Sequence, residues 1–270
     1  MARVGHFVSA WTPYDSYLGS EQLSSEETFR CEAKEAADLE FLRPHRQHLE
    51  SCWVTWNHPH MKLKVTTYPM LHVGNESFYQ HVSRDLVRCH FVLEEGVTWR
   101  SGNQRRPLYD LAARNLGLST QSSILRFPAS AKRINLDMSR EEFREKLFGL
   151  PLQYVILVMF LRYLLWLLTL PKSLRPLARE VVLRDRRLHR MQDDTPLDQL
   201  LLRARDRRIV ENLRKFLLEP QVEKNQSYCG IIFGAGHMPA ICAVLRSIGF
   251  QPGTRRWIEV LRFPQEKGGE

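Results

Sequence analysis

The chain has 270 residues, 43% hydrophobic and 26% charged, without a low-complexity tract; these values exclude a disordered polypeptide and leave room for one large folded unit. Its formal charge of +9 invites an anionic partner. The arginines are interleaved with acids, however, as in Arg184-Asp185-Arg186-Arg187 and Arg205-Asp206-Arg207-Arg208, so they read as solvated helix faces and no nucleic-acid partner is expected. Five cysteines, widely spaced and without a Cys-x-x-Cys pair, exclude a disulfide framework and a cysteine zinc site. With no signal-peptide-like run at the start, the expected compartment is the reducing cytoplasm.

In chain order, residues 1–60 read as an N-terminal extension of helix and loop. Ser24 and Glu27 have the capping-box spacing ahead of an acidic helix that Pro44 terminates. His45, His48, His58 and His60 follow in a loop-like stretch without regular ligand spacing, and read as solvated. Residues 61–135 form a first α/β half. Lys62 to Tyr68 alternates like a strand that Pro69 stops, His72 follows in a loop, and Asn75 is placed to cap a helix to Val87 with Phe78, Val82 and Leu86 on one face. Cys89 to Leu93 then reads as a buried strand. Such a βαβ unit is expected to be parallel, with His72 and Glu95 leaving the sheet at one edge.

Residues 136–220 read as a helical insertion covering that carboxyl edge, opened by a capping box from Ser139 to Glu142. Within it, residues 152–170 are almost wholly apolar, interrupted by Gln153, Arg162 and Thr169 and bracketed by Pro151 and Pro171. The length approaches a bilayer span. A single crossing would put His72 and Glu95 on one side and His237 on the other, so the expectation is a helix packed over the sheet, with membrane-surface contact as the second reading. The helix announced by Thr195-Pro196-Leu197-Asp198 presents Leu202, Ile209, Leu213 and Phe216, with Arg205 inside the apolar stripe. That arginine must pair with a carboxylate, snorkel to water, or stand as a fixed cation for a substrate oxyanion.

Residues 221–270 form a second α/β half. Tyr228 to Phe233 reads as a strand, Gly234 to His237 as a tight turn, and Pro239 as a first helical residue. Ile241, Val244, Leu245 and Ile248 form the helix stripe, Gly249 closes it, and Trp257 to Phe263 is the last strand. The fold class is therefore α/β, with a mixed, largely parallel central sheet flanked by helices. His72, Glu95 and His237 all fall at the carboxyl edge, where ligands bind in open α/β sheets. Two imidazoles and a carboxylate there suit a divalent ion with open positions for water. Gly234-x-Gly236 also allows a phosphate cradle, with Glu259 about twenty residues on. Glu259, however, falls inside the expected last strand instead of at its end, so a dinucleotide site is not expected.

Gly234-Ala235-Gly236-His237-Met238-Pro239, the Glu in Val92-Leu93-Glu94-Glu95-Gly96-Val97, Arg205 in a late helix, and Asn135-Leu136-Asp137-Met138-Ser139 together resemble the TraB/PrgY/Tiki family, related to the ChaN-like and erythromycin-esterase-like proteins. The resemblance spans roughly residues 60–263. The first Gly-x-x-His motif departs from the pattern: Pro69-Met70-Leu71-His72 has Pro where the family has Gly. What the resemblance implies is a metal-dependent hydrolase of peptidase type acting on a peptide or small-molecule substrate, with manganese, cobalt or zinc held by His72, Glu95 and His237. Arg205 would then act on the substrate, and Gly234 and Gly236 would line the site. The family's other branch implies a non-catalytic, membrane-associated regulator that binds a peptide or partner protein.

Overall fold

A computed structural model describes residues 40–45, 47–96, 110, 113–114, 117–156, 202–219 and 227–262. The Ser24–Glu27 helix start, residues 157–170 of the apolar segment with Arg162, and the capping pattern at Thr195 lie outside the described residues.

The α/β expectation holds. A seven-stranded sheet contains β1 (Leu42–Pro44), β2 (His48–Asn57), β3 (Leu63–Met70), β5 (Phe91–Glu94), β7 (Lys132–Asn135), β8 (Ser227–Gly234) and β9 (Gln251–Arg262). Two short strands, β4 (Val73–Gly74) and β6 (Ser119–Thr120), pair separately. Across the main sheet the order is β9, β2, β3, β8, β5, β7, with β1 beside the first half of β2. Strand β8 runs parallel to β3 and β5, and β5 parallel to β7, whereas β2 runs antiparallel to its neighbours. The sheet is thus mixed and mostly parallel.

Both faces are covered, so the strands carry apolar residues on both sides. Along β8, Cys229, Ile231 and Phe233 point to one face, where α3 (Ala204–Leu217) and α4 (Met238–Ile248) pack through Ile209, Leu213, Ile241 and Leu245. Ile232 points to the other, against α1 (Glu76–Leu86) with its buried Phe78, Tyr79, Val82 and Leu86. Gly230 is closely packed on that second face. A Cβ there would lie 2.6 Å from Leu86 Cδ2 and 3.3 Å from both Cys89 Sγ and Tyr68 Cε2. Gly230→Ala is therefore expected to cost about 1–3 kcal/mol by overpacking, measured by urea unfolding.

Several boundaries differ from the sequence expectation. Residues 48–57 form β2, inside the sheet, instead of loop; Leu49, Cys52, Trp53, Val54 and Trp56 are all buried, a two-sided pattern without the alternation of a half-exposed strand. Pro69 does not stop β3, which runs on to Met70. In an extended residue the N and the carbonyl point to the same side, and the Pro69 carbonyl accepts a 2.7 Å hydrogen bond from Ser51 Oγ on β2. The missing N–H thus faces β2 beyond Val54–Thr67, where their ladder has ended. The two α/β halves keep their strand directions, but β8 lies between β3 and β5, and β9 joins the far edge beside β2. As an edge strand β9 accommodates Pro252 and begins at Gln251, ahead of Trp257. Asn75 occupies the N-cap position of α1, but its side chain donates to Glu259 instead of capping. The capping box does form at α2 (Arg140–Phe148), with Ser139 and Glu142 exchanging bonds, and Gly249 ends α4 at φ 105°.

Candidate functional site

Parallel strands deliver their ends to one edge. Glu95 is the residue after β5, Asp137 lies two beyond β7, His72 two beyond β3, and His237 three beyond β8. Helix α3 then brings Arg205 and Asp206 from its first turn against that edge.

Arg205 is the hub of one half. Its Nη2 donates to Glu95 Oε1 at 2.6 Å and to Asp137 Oδ2 at 2.5 Å, and its Nε donates to Asp137 Oδ1 at 3.1 Å. The Asp137 side chain is fully buried. Burial disfavours charge on Arg205, but the Asp137 and Glu95 carboxylates reverse that and raise its pKa. Of the three expectations for an arginine inside an apolar stripe, pairing is the one observed. Glu95 is held a second time by the Gly234 N–H, which donates to Oε2. A Cβ on residue 234 would stand 2.9 Å from that same oxygen, so the glycine is what lets β8 end against the carboxylate.

His237 anchors the other half. It is 3% exposed, its Nδ1 lies 2.6 Å from Asp206 Oδ1, and its Nε2 faces Glu95 Oε1 at 3.6 Å. Burial alone would lower the His237 pKa; Asp206 and Glu95 more than offset it and lift it to about 9. Glu95 responds in the opposite sense. Burial pushes it up, but His237, Arg205 and His72 together hold it well below the usual carboxylate range. Burial raises Asp206, with His237 and Arg205 drawing it back.

Glu95 and Asp137 thus bond to the Arg205 guanidinium and Asp206 to the His237 imidazole, so that three carboxylates share one guanidinium and one imidazole. A cation is what such a cluster favours. The separation of Nε2 and Oε1 fits one: ligands at about 2.0–2.2 Å from a tetrahedral ion stand roughly 3.3–3.6 Å apart. Asp206 on Nδ1 is the outer carboxylate that orients a ligating imidazole. His72 is exposed at the rim, close enough for its charge to lower Glu95. The donor atoms of His72, Glu95 and His237 do not all lie within 4.8 Å of one another, so His72 would have to swing inward to join.

The structure therefore brings Glu95, Arg205, His237 and Gly234 together, places Gly236 in the Ala235–His237 turn beside them, and leaves His72 at the edge. Asp137 and Asp206 were not singled out from the sequence as site residues. Their one signal was adjacency: Asp206 follows Arg205, and Asp137 ends the segment after β7. Glu259 lies within β9, bound to Asn75 and Arg262, away from Gly234.

The fold and the site define an α/β protein with a charged, largely buried cluster at the carboxyl edge of its sheet. No family model, curated protein or solved structure matches the chain.

Proposed function

We propose that the chain is a metal-dependent hydrolase, peptidase-like and of the TraB/Tiki type, acting on a peptide or small-molecule substrate. The observation that carries this reading is the Asp206–His237–Glu95 array at the sheet's carboxyl edge, with Nε2 and Oε1 separated as two ligands of one ion would be. His237 and Glu95 would hold manganese, cobalt or zinc, and His72 would complete the set from the rim. The ion would supply a hydroxide from bound water near neutral pH. Asp206 fixes the His237 ring by accepting from Nδ1, which leaves Nε2 for the ion. Gly234 and Arg205 keep the Glu95 carboxylate in place and ionised. Arg205 is then a positioning residue, since its observed contacts are to the carboxylates.

Metal analysis of the purified protein tests this. About one equivalent of divalent ion is expected at this cluster, with peptidase activity that rises on adding manganese or cobalt. No ion, and no gain in activity with either metal, overturns the reading.

The cytoplasm is the proposed compartment; Cys52, Cys89, Cys229 and Cys242 are free and buried. One observation favours the second reading, a membrane-associated regulator: Phe148, Leu152 and Ile156 are 63%, 72% and 58% exposed where the chain enters the apolar segment. No helix among the described residues is long and apolar enough to cross a membrane. Surface attachment predicts co-flotation with anionic liposomes that is lost when residues 152–156 are replaced by polar ones; a protein that never floats rules it out.

A further inference from the structure

The β1–β2 hairpin carries a second cluster, apart in sequence from the Glu95–Arg205–His237 cluster. His48 and Glu50 are two apart on β2, so their side chains leave the strand on the same side. His45 sits at the turn between β1 and β2, its N–H donating to the His48 carbonyl at 2.9 Å. Both imidazoles converge on one carboxylate: His45 Nε2 is 2.8 Å from Glu50 Oε2, and His48 Nε2 is 3.9 Å from Glu50 Oε1. The two rings are stacked, with centroids 4.2 Å apart and planes 12° from parallel. All three donor atoms lie within 4.8 Å of one another.

Among the described residues, the two arginines paired across from this cluster bind other carboxylates. Arg43 is the residue opposite Glu50 on β1, yet it turns to Glu40 at 3.4 Å and stacks over the Trp257 ring at 3.8 Å. Arg262, opposite His48 on β9, engages Glu259 at 2.6 Å. The backbone beneath is rigid, because Leu49, Ser51 and Cys52 are 1%, 0% and 2% exposed and β2 is paired along both edges. The ligands themselves are open to solvent, at 38%, 29% and 22% side-chain exposure for His45, His48 and Glu50, so water can fill remaining positions.

Two stacked imidazoles present their Nε2 atoms to one carboxylate. One divalent ion satisfies both nitrogens and the carboxylate together, and imidazole donors select the transition metals over magnesium or calcium. We propose that His45, His48 and Glu50 form a surface binding site for a zinc-class divalent ion, with two Nε2 atoms and one carboxylate as ligands and water in the open position. Bound there, the ion ties the turn after β1 to β2.

Zinc titration of the full chain, followed by calorimetry and by cobalt(II) absorption, tests the site. Wild type is expected to take up one more equivalent of zinc than the double variant His45→Ala/His48→Ala, and magnesium is expected to give no signal. Glu50→Gln should weaken that equivalent by more than about tenfold. His237→Ala is expected to keep it, so failure of the proposed sheet-edge metal site and failure of this one are separately visible. The three hairpin side chains are partly exposed and off the core, so the variants should unfold at the wild-type midpoint when zinc is chelated. Equal zinc stoichiometry in wild type and the double variant, or no zinc uptake at micromolar concentration, overturns the proposal.

Discussion

Replacing Arg205 by methionine is expected to lower the unfolding free energy by about 3–5 kcal/mol, a large part of the roughly 5–15 kcal/mol that holds an ordinary domain together. The loss arises less from the bonds than from what is left behind. Asp137 is fully buried and takes both its bidentate contacts from Arg205, and Glu95 takes a third. Without the guanidinium, two carboxylates face each other across a buried space, and the protein must protonate one, admit water, or unfold. The double variant Arg205→Met/Asp137→Leu is therefore expected to recover much of the loss, because a matched apolar pair removes the stranded charge. Urea unfolding of the wild type, the single and the double variants measures all three. A single-variant loss below about 1 kcal/mol would show that the arginine is not the structural hub the contacts describe.

The second large effect falls on activity. On the proposed metal-dependent reading, His237→Ala is expected to abolish both metal binding at the sheet edge and hydrolysis, a drop of at least about 10²-fold in kcat/KM. Because His237 is buried against Asp206, that variant is also destabilised, so Asp206→Asn is the sharper probe. The amide keeps a hydrogen-bond acceptor for Nδ1 but gives up the negative charge that makes Nε2 a stronger ligand. Metal affinity or activity should then fall by about 10–100-fold with the fold intact. Unchanged metal binding and activity in Asp206→Asn, with circular dichroism like that of the wild type, would detach Asp206 from the chemistry.

Most of the architecture was legible because local chemistry and fold agree. The four-residue recurrence of Phe78, Val82 and Leu86 becomes the buried face of α1, the Ser139–Glu142 box caps α2, and Gly249 takes the left-handed conformation that ends α4. Strand β2 was missed for a physical reason. Buried on both faces, it lacks the period-two alternation that marks a half-exposed strand, and its flanking histidines imitate a loop. Pro69 misled in the same way, since a proline breaks a ladder only where an N–H is needed, and Ser51 shows that none is needed there.

The site divides along the same line. The sequence by itself determined that His72, Glu95 and His237 follow strand ends, because hydrophobic runs and turn residues mark where strands stop, and that Arg205, which interrupts an apolar stripe, needed a carboxylate, water or a substrate oxyanion. Which carboxylates answer it was decided by tertiary structure alone. Asp137 and Asp206 are 69 residues apart in number, on a strand end and a helix, and only the packing of α3 over the edge of β5, β7 and β8 sets one against Arg205 and the other against His237. Spacing along a chain cannot encode that meeting, since it depends on which face of the helix the core buries and on how far the sheet has twisted beneath it.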